Sequence, residues 1–115
     1  MAGKIQIVNL EDVEQTKEEG GLLLVRHLIT RAHGSERFEF EHVVINEGLE
    51  GEGAIYPDQD ELVYVIKGEC ELGIEGQKRR VGPGGTFFVP ANTPYDFKTI
   101  KAPIEVVAVF SPPND

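Results

Sequence analysis

Turn-forming residues interrupt this chain so often that no long helix fits between them. Thirteen glycines and seven prolines gather largely in clusters at residues 32–35, 46–53, 68–69, 75–77, 81–85 and 90–94, where tight turns need them. Between the clusters lie short β-rich runs: 21–30 (GLLLVRHLIT), 38–45 (FEFEHVVI), 61–67 (ELVYVIK), 69–75 (ECELGIE), 86–89, 95–100 and 104–110. Many short strands at even spacing predict a closed β-barrel or a double-sheet jelly roll. The best helical candidate, residues 10–19 with Asn9 as a cap, has sparse apolar positions. The proline-rich end, 111–115 (SPPND), cannot continue a central strand.

A chain of 115 residues holds one core of ordinary size, so one domain is expected. Eleven Lys and Arg against 20 Asp and Glu leave a formal net charge of -9. Nucleic acids and anionic membranes are bound by basic stripes. The densest basic run here, Lys78-Arg79-Arg80, reads as the solvated face of a turn. One cysteine, Cys70, forms no internal disulfide and fits a reducing compartment. The start lacks the apolar stretch of a signal peptide, and no run approaches a membrane span. A soluble, cytoplasmic, acidic domain is the expectation.

Two stretches carry a family pattern. Gly48-x5-Ala54-x-Tyr56-x4-Glu61-x6-Gly68 has the frame of the first cupin motif, and Gly84-x5-Pro90-x-Asn92-x2-Tyr95-x3-Thr99 that of the second. Fifteen residues, 69–83, separate them. The chain thus resembles a small single-domain cupin over residues 25–113. The resemblance implies an all-β jelly-roll barrel (a double-stranded β-helix) with little helix. It also implies a homodimer, in which residues 1–24 pair across the interface; 114–115 form a tail.

The resemblance further implies a divalent metal held by three histidines and a glutamate, but the slots here hold Ala54, Tyr56, Glu61 and Tyr95. The shorter motif spacing substitutes Ile55 and Pro57, which also lack donor atoms. A tyrosine must lose a proton with a pKa near ~10 to bind a metal well, and one carboxylate is too few for a transition-metal site. No metal and no cofactor are expected.

In the family fold the glutamate of the first motif points into the barrel. Period-two alternation sends Val63 and Val65 the same way and Leu62, Tyr64 and Ile66 to the opposite face. The second motif places Tyr95 and Phe97 inward. The expected pocket holds one carboxyl and two phenols in an apolar frame. Desolvation disfavours the charged form of such a carboxyl, which is how a general acid/base near neutral pH is made. The alternative is a structural Glu61 that hydrogen-bonds Tyr56 or Tyr95 and holds a relic site shut.

The histidines stand outside the ligand slots. His42 is either a pocket residue beside Glu61 or a structural histidine sharing parity with Phe38 and Phe40. Arg26 and His27 fall on opposite faces of a strand, so one faces the barrel; the guanidinium of Arg26 could hold a substrate carboxylate. His33 sits in a glycine turn and reads as solvent-exposed. Cys70 reads as a small buried hydrophobe. Asp58, Asp60 and Glu61 form an acidic loop-strand junction.

Three functions remain open on the residues: a metal-free barrel that binds a small organic ligand, with Arg26, His42, Val63, Val65 and Phe97 lining the site; a metal-independent isomerase, cyclase or lyase using Glu61 with Tyr56 and Tyr95; or a metal-dependent cupin with ligands rearranged to His27, His42 and Glu61.

Overall fold

The computed structural model describes residues 3–53 and 55–114; the Ala54 slot and the outermost residues of the two end segments, 1–2 and 115, lie outside them. Eight strands form one sheet that doubles over on itself: β1 (Thr16–Glu18), β2 (Leu23–Ile29), β3 (Glu39–Ile45), β4 (Glu50–Glu52), β5 (Asp60–Ile74), β6 (Gln77–Val81), β7 (Thr86–Val89) and β8 (Asp96–Ser111). The path runs β1-β2-β3-β8-β5-β6, with β4 added on β8 and β7 on β5. All pairs are antiparallel. The sheet does not close into a ring, since β1 and β6 end the path, yet the arrangement is a jelly roll.

Two long strands make the fold. The C-terminal part of β8 lies between β3 and the first part of β5, and its N-terminal part lies between β4 and the last part of β5. The runs 61–67 and 69–75 are therefore one strand, bent where the register shifts between Val65 and Cys70. Gly68, the last glycine of the first motif, makes that bend. Its φ of +85° suits only glycine, and a Cβ there would sit 2.6 Å from the Pro103 carbonyl oxygen and 2.7 Å from Ile104 Cα.

Alternation along β5 is as expected: Glu61, Val63 and Val65 are buried, while Leu62, Tyr64 and Ile66 are exposed. Ile104 and Val65, both fully buried, join Val25, Val43, Val63, Cys70, Val106 and Phe110 in the core. Cys70 is buried as expected, and burial pushes its thiol up to about 11.

The N-terminal segment differs from its helical expectation. A 3-10 turn forms at Leu10–Asp12, which the Asn9 side chain does not cap, and a second at Glu19–Gly21. The segment's few apolar side chains cannot offset the cost of ordering a longer helix. Between the two turns the chain enters β1, which pairs with β2 of the same chain. Lys78-Arg79-Arg80 belongs to β6, an exposed edge strand, rather than to a turn. Charged side chains on an edge discourage pairing with other chains. His33 is half-buried; its Nδ1 accepts from Thr30 N at 3.1 Å within a 3-10 turn. Among the described residues no helix is long and apolar enough to cross a membrane.

Candidate functional site

The doubled sheet encloses a cavity of about 310 Å³, with Glu61, Tyr56, Tyr95 and Phe97 on its wall. Glu61 enters it from the start of β5, between Val89 of β7 and Phe110 of β8. Asp60 Oδ1 accepts from Ala91 N at 2.8 Å, which ties the loop before Tyr95 to that strand end. Asn92 N donates to the Tyr56 carbonyl at 2.8 Å, and the Tyr56 ring meets Phe110 edge-on, with centroids 5.0 Å apart. Gly53 N donates to the Tyr95 carbonyl at 2.7 Å. A Cβ on Gly53 would overlap the Tyr95 ring, so the bare glycine backbone is what lets the phenol lie there.

Glu61 is 9% exposed, and its Oε1 has no hydrogen-bond partner. Burial pushes its carboxyl up to about 7, although a hydrogen bond from the Tyr95 hydroxyl pulls the other way. Desolvation is the larger effect because a neutral phenol returns only part of what water supplied. Burial and the Glu61 charge push Tyr56 up to about 12, and Tyr95 rises for the same reasons. Both phenols are therefore hydrogen-bond donors throughout the ordinary pH range.

Four expected pocket residues lie elsewhere. Val63 and Val65 point inward but are packed into the core, 4% and 0% exposed, and are not on the cavity wall. Arg26 and His42 are on the outer face of the sheet. They pair with each other, and His42 with Val107, out of phase with the inward Val25, Val43 and Val106. Arg26 Nε donates to the Val13 carbonyl at 3.1 Å, tying the N-terminal segment to that face. His42 Nε2 lies 2.7 Å from Glu105 Oε2. The sequence left the direction of both open, because a strand's parity shows which residues share a face, not which face is the core.

The same ambiguity hid a second acidic group. Glu39 and Glu41 of β3 are buried, and Glu41 lines the cavity. Sharing the parity of Val43 and Ile45 was the available signal, outweighed by the flanking Phe38 and Phe40. His27 Nδ1 is 3.2 Å from Glu39 Oε2 and 3.2 Å from Glu41 Oε2. Burial alone would raise Glu39, but hydrogen bonds from Glu41, His27 and Asn114 outweigh it and hold this carboxyl below 4.5. Glu41 moves the other way, raised by burial and by the adjoining Glu39. The titrations of the two carboxyls are thus pushed apart, since neighbouring like charges cannot both be ionised cheaply.

The donor sets decide which metal readings fit. Tyr56, Glu61 and Tyr95 in the family's ligand slots offer one carboxylate and two phenols held protonated, which do not fit a divalent transition metal. His27, His42 and Glu61 do not converge, because His42 is on the outer face. The described residues whose donor atoms do converge, within 4.8 Å of one another, are His27, Glu39 and Glu41, already joined by the hydrogen bonds above.

Comparison with known proteins agrees with this architecture. The family described as "Cupin domain" matches residues 41–110. An uncharacterized protein of Streptomyces coelicolor, SCO3923, is 33% identical over 56 residues, covering 49% of this chain and 53% of that protein; the match spans about half of the curated relative's length. Among solved structures, KdgF from Halomonas sp. superposes with a TM-score of 0.82 at 20% identity, covering 97% of each chain. Ectoine synthase from P. lautus gives 0.82 at 23% identity over 96% of this chain and 80% of that one. The polyketide cyclase RemF from Streptomyces resistomycificus gives 0.75 at 24% identity over 95% and 80%. At these identities the likeness is one of fold.

Proposed function

The chain belongs to the cupin-domain family, and on that premise we propose that it binds a small organic molecule in the barrel cavity, through Glu61, Tyr56 and Tyr95 in place of a metal centre. One observation carries the reading: Glu61, whose buried Oε1 has no hydrogen-bond partner, lines a cavity of about 310 Å³. Leaving such a group unsatisfied costs about 1–3 kcal/mol, a cost a ligand donor removes. The volume sits at the small end of the ~300–1,000 Å³ that ligand sites occupy, and Phe97 and Phe110 supply an apolar wall. Native mass spectrometry for a copurified ligand, followed by thermal shift against metabolite panels, tests the reading. Binding that survives Glu61→Gln and Tyr95→Phe together excludes this site.

A second reading makes the same residues catalytic. A carboxyl held at about 7 takes and returns a proton near neutral pH, and two phenols can stabilise a developing oxyanion. This supports metal-independent isomerisation, cyclisation or lyase chemistry. Unchanged turnover of an identified substrate by Glu61→Gln refutes it. The outer face offers Leu62, Tyr64, Ile66 and Phe88, each more than 40% exposed, as the contact of a homodimer; a monomeric mass by light scattering refutes that assembly.

A further inference from the structure

The charges around the cavity point to the kind of molecule it takes. Six glutamates, Glu18, Glu19, Glu41, Glu50, Glu52 and Glu61, line it, and no lysine, arginine or histidine does among the described residues. Three of the six have basic neighbours behind the wall. Lys98 Nζ is 3.7 Å from Glu50 Oε2, and His27 lies 4.0 Å from Glu18 Oε2 and 3.2 Å from Glu41 Oε2. Among the described residues no cationic side chain lies within 4.0 Å of the carboxylates of Glu19, Glu52 or Glu61.

Acidic residues at a cavity mouth are ordinary solvated groups taken alone. The buried wall adds an independent observation: Glu61 lines the cavity, is 9% exposed, and its buried Oε1 has no hydrogen-bond partner. Around it stand the rings of Tyr56, Tyr95, Phe97 and Phe110. Carboxylates and aromatic faces in one desolvated space are the two partners an organic cation uses. A cation over an aromatic face gains about 0.5–2 kcal/mol, and a charge-assisted hydrogen bond is roughly twice as strong as a neutral one. An anion would meet like charge at the mouth and at the wall.

We propose that the cavity selects a small organic cation, an ammonium or guanidinium group on a compact apolar body, with its charge at Glu61 and its body against the Tyr56, Tyr95 and Phe97 rings. This deepens the binding reading above and rests on it. The matching ligand class is a primary amine, a quaternary ammonium compound or an amidine small enough for the space.

Three probes of nearly equal size separate the possibilities: benzylamine, benzyl alcohol and benzoate, titrated into isotopically labelled protein at about pH 8, where the amine is still largely protonated and a carboxyl near 7 is largely ionised. Amide shifts of cavity residues report binding. The expected result is benzylamine binding at least about ten-fold more tightly than benzyl alcohol, with benzoate weakest, and loss of that preference in Glu61→Gln. Benzyl alcohol or benzoate binding the cavity as tightly as the amine overturns the cation inference and leaves the binding site standing. An amine preference that persists in Glu61→Gln assigns it to surface charge and also overturns the inference. If no probe moves a cavity residue, both readings fall. The wild-type ratio decides the matter even if Glu61→Gln folds poorly.

Discussion

Replacing Glu61 by glutamine should make the protein more stable at alkaline pH and change little in acid. In the unfolded chain this carboxyl titrates at its ordinary 4.5; in the folded protein burial holds it at about 7. Between those values the folded state keeps a proton that the unfolded state has released, so stability falls as pH rises. Below 4.5 both states are protonated and Glu61 imposes no penalty. Above 7 both are ionised, and the full cost of a buried carboxylate is present. At ~1.4 kcal/mol for each pH unit between the two values, that cost is about 3 kcal/mol. Glutamine carries no charge to desolvate and should escape it. Tyr95, Tyr56 and Glu41 line the same cavity and each is raised in part by the Glu61 charge, so the difference between the two proteins reports Glu61 together with its coupling to Glu41. The chain has no tryptophan, so urea unfolding is best followed by far-UV circular dichroism across about pH 4 to 9. The wild-type-minus-variant stability should decline by about 3 kcal/mol across that window and be level on either side. A difference that stays constant with pH would show that Glu61 is not desolvated, and would remove the physical basis for a proton carrier at this position.

Further outcomes follow from the same geometry. Gly68→Ala should cost at least about 2 kcal/mol in urea unfolding, because a left-handed backbone and an overlap with the Pro103 and Lys101 carbonyls act together; a neutral result would mean β5 does not bend there. Ile104→Ala, at a side chain with no exposure, should lose about 2–5 kcal/mol in the same assay, and a loss below 1 kcal/mol would place it outside the core. Cys70, 1% exposed with its thiol pushed to about 11, should resist a thiol reagent in the native protein and react fully once unfolded; fast native labelling would contradict its burial.

How much of the site was legible turned on side-chain direction. Glu61, Tyr56, Tyr95 and Phe97 were accessible from the sequence because the motif frame supplies both a strand register and an inward direction. Glu41 and Glu39 were not. The run FEFEHVVI satisfies period two equally well with its phenylalanines or its glutamates inside, and hydrophobicity favours the wrong choice. The structure buries the glutamates because His27 on the neighbouring strand and Asn114 near the chain end both reach Glu39. Those partners are 12 and 75 residues away along the chain. Arg26 and His42 failed for the complementary reason: they lie on one face, and that face is the outer one.

Local chemistry was enough to determine that this protein is a turn-rich β-fold with no histidine in the ligand slots of its family. Turn propensity, period-two patterning and the donor atoms of individual side chains are properties a chain carries wherever it folds. Tertiary structure alone decided that the cavity is walled by glutamates and aromatic rings, that Glu61 keeps one oxygen unpartnered, and that two further carboxyls, Glu39 and Glu41, are buried against His27. Those are statements about desolvation and about which distant groups meet. Both depend on the long strands β5 and β8 doubling the sheet over, which brings residues from every part of the barrel within a few ångströms of one another.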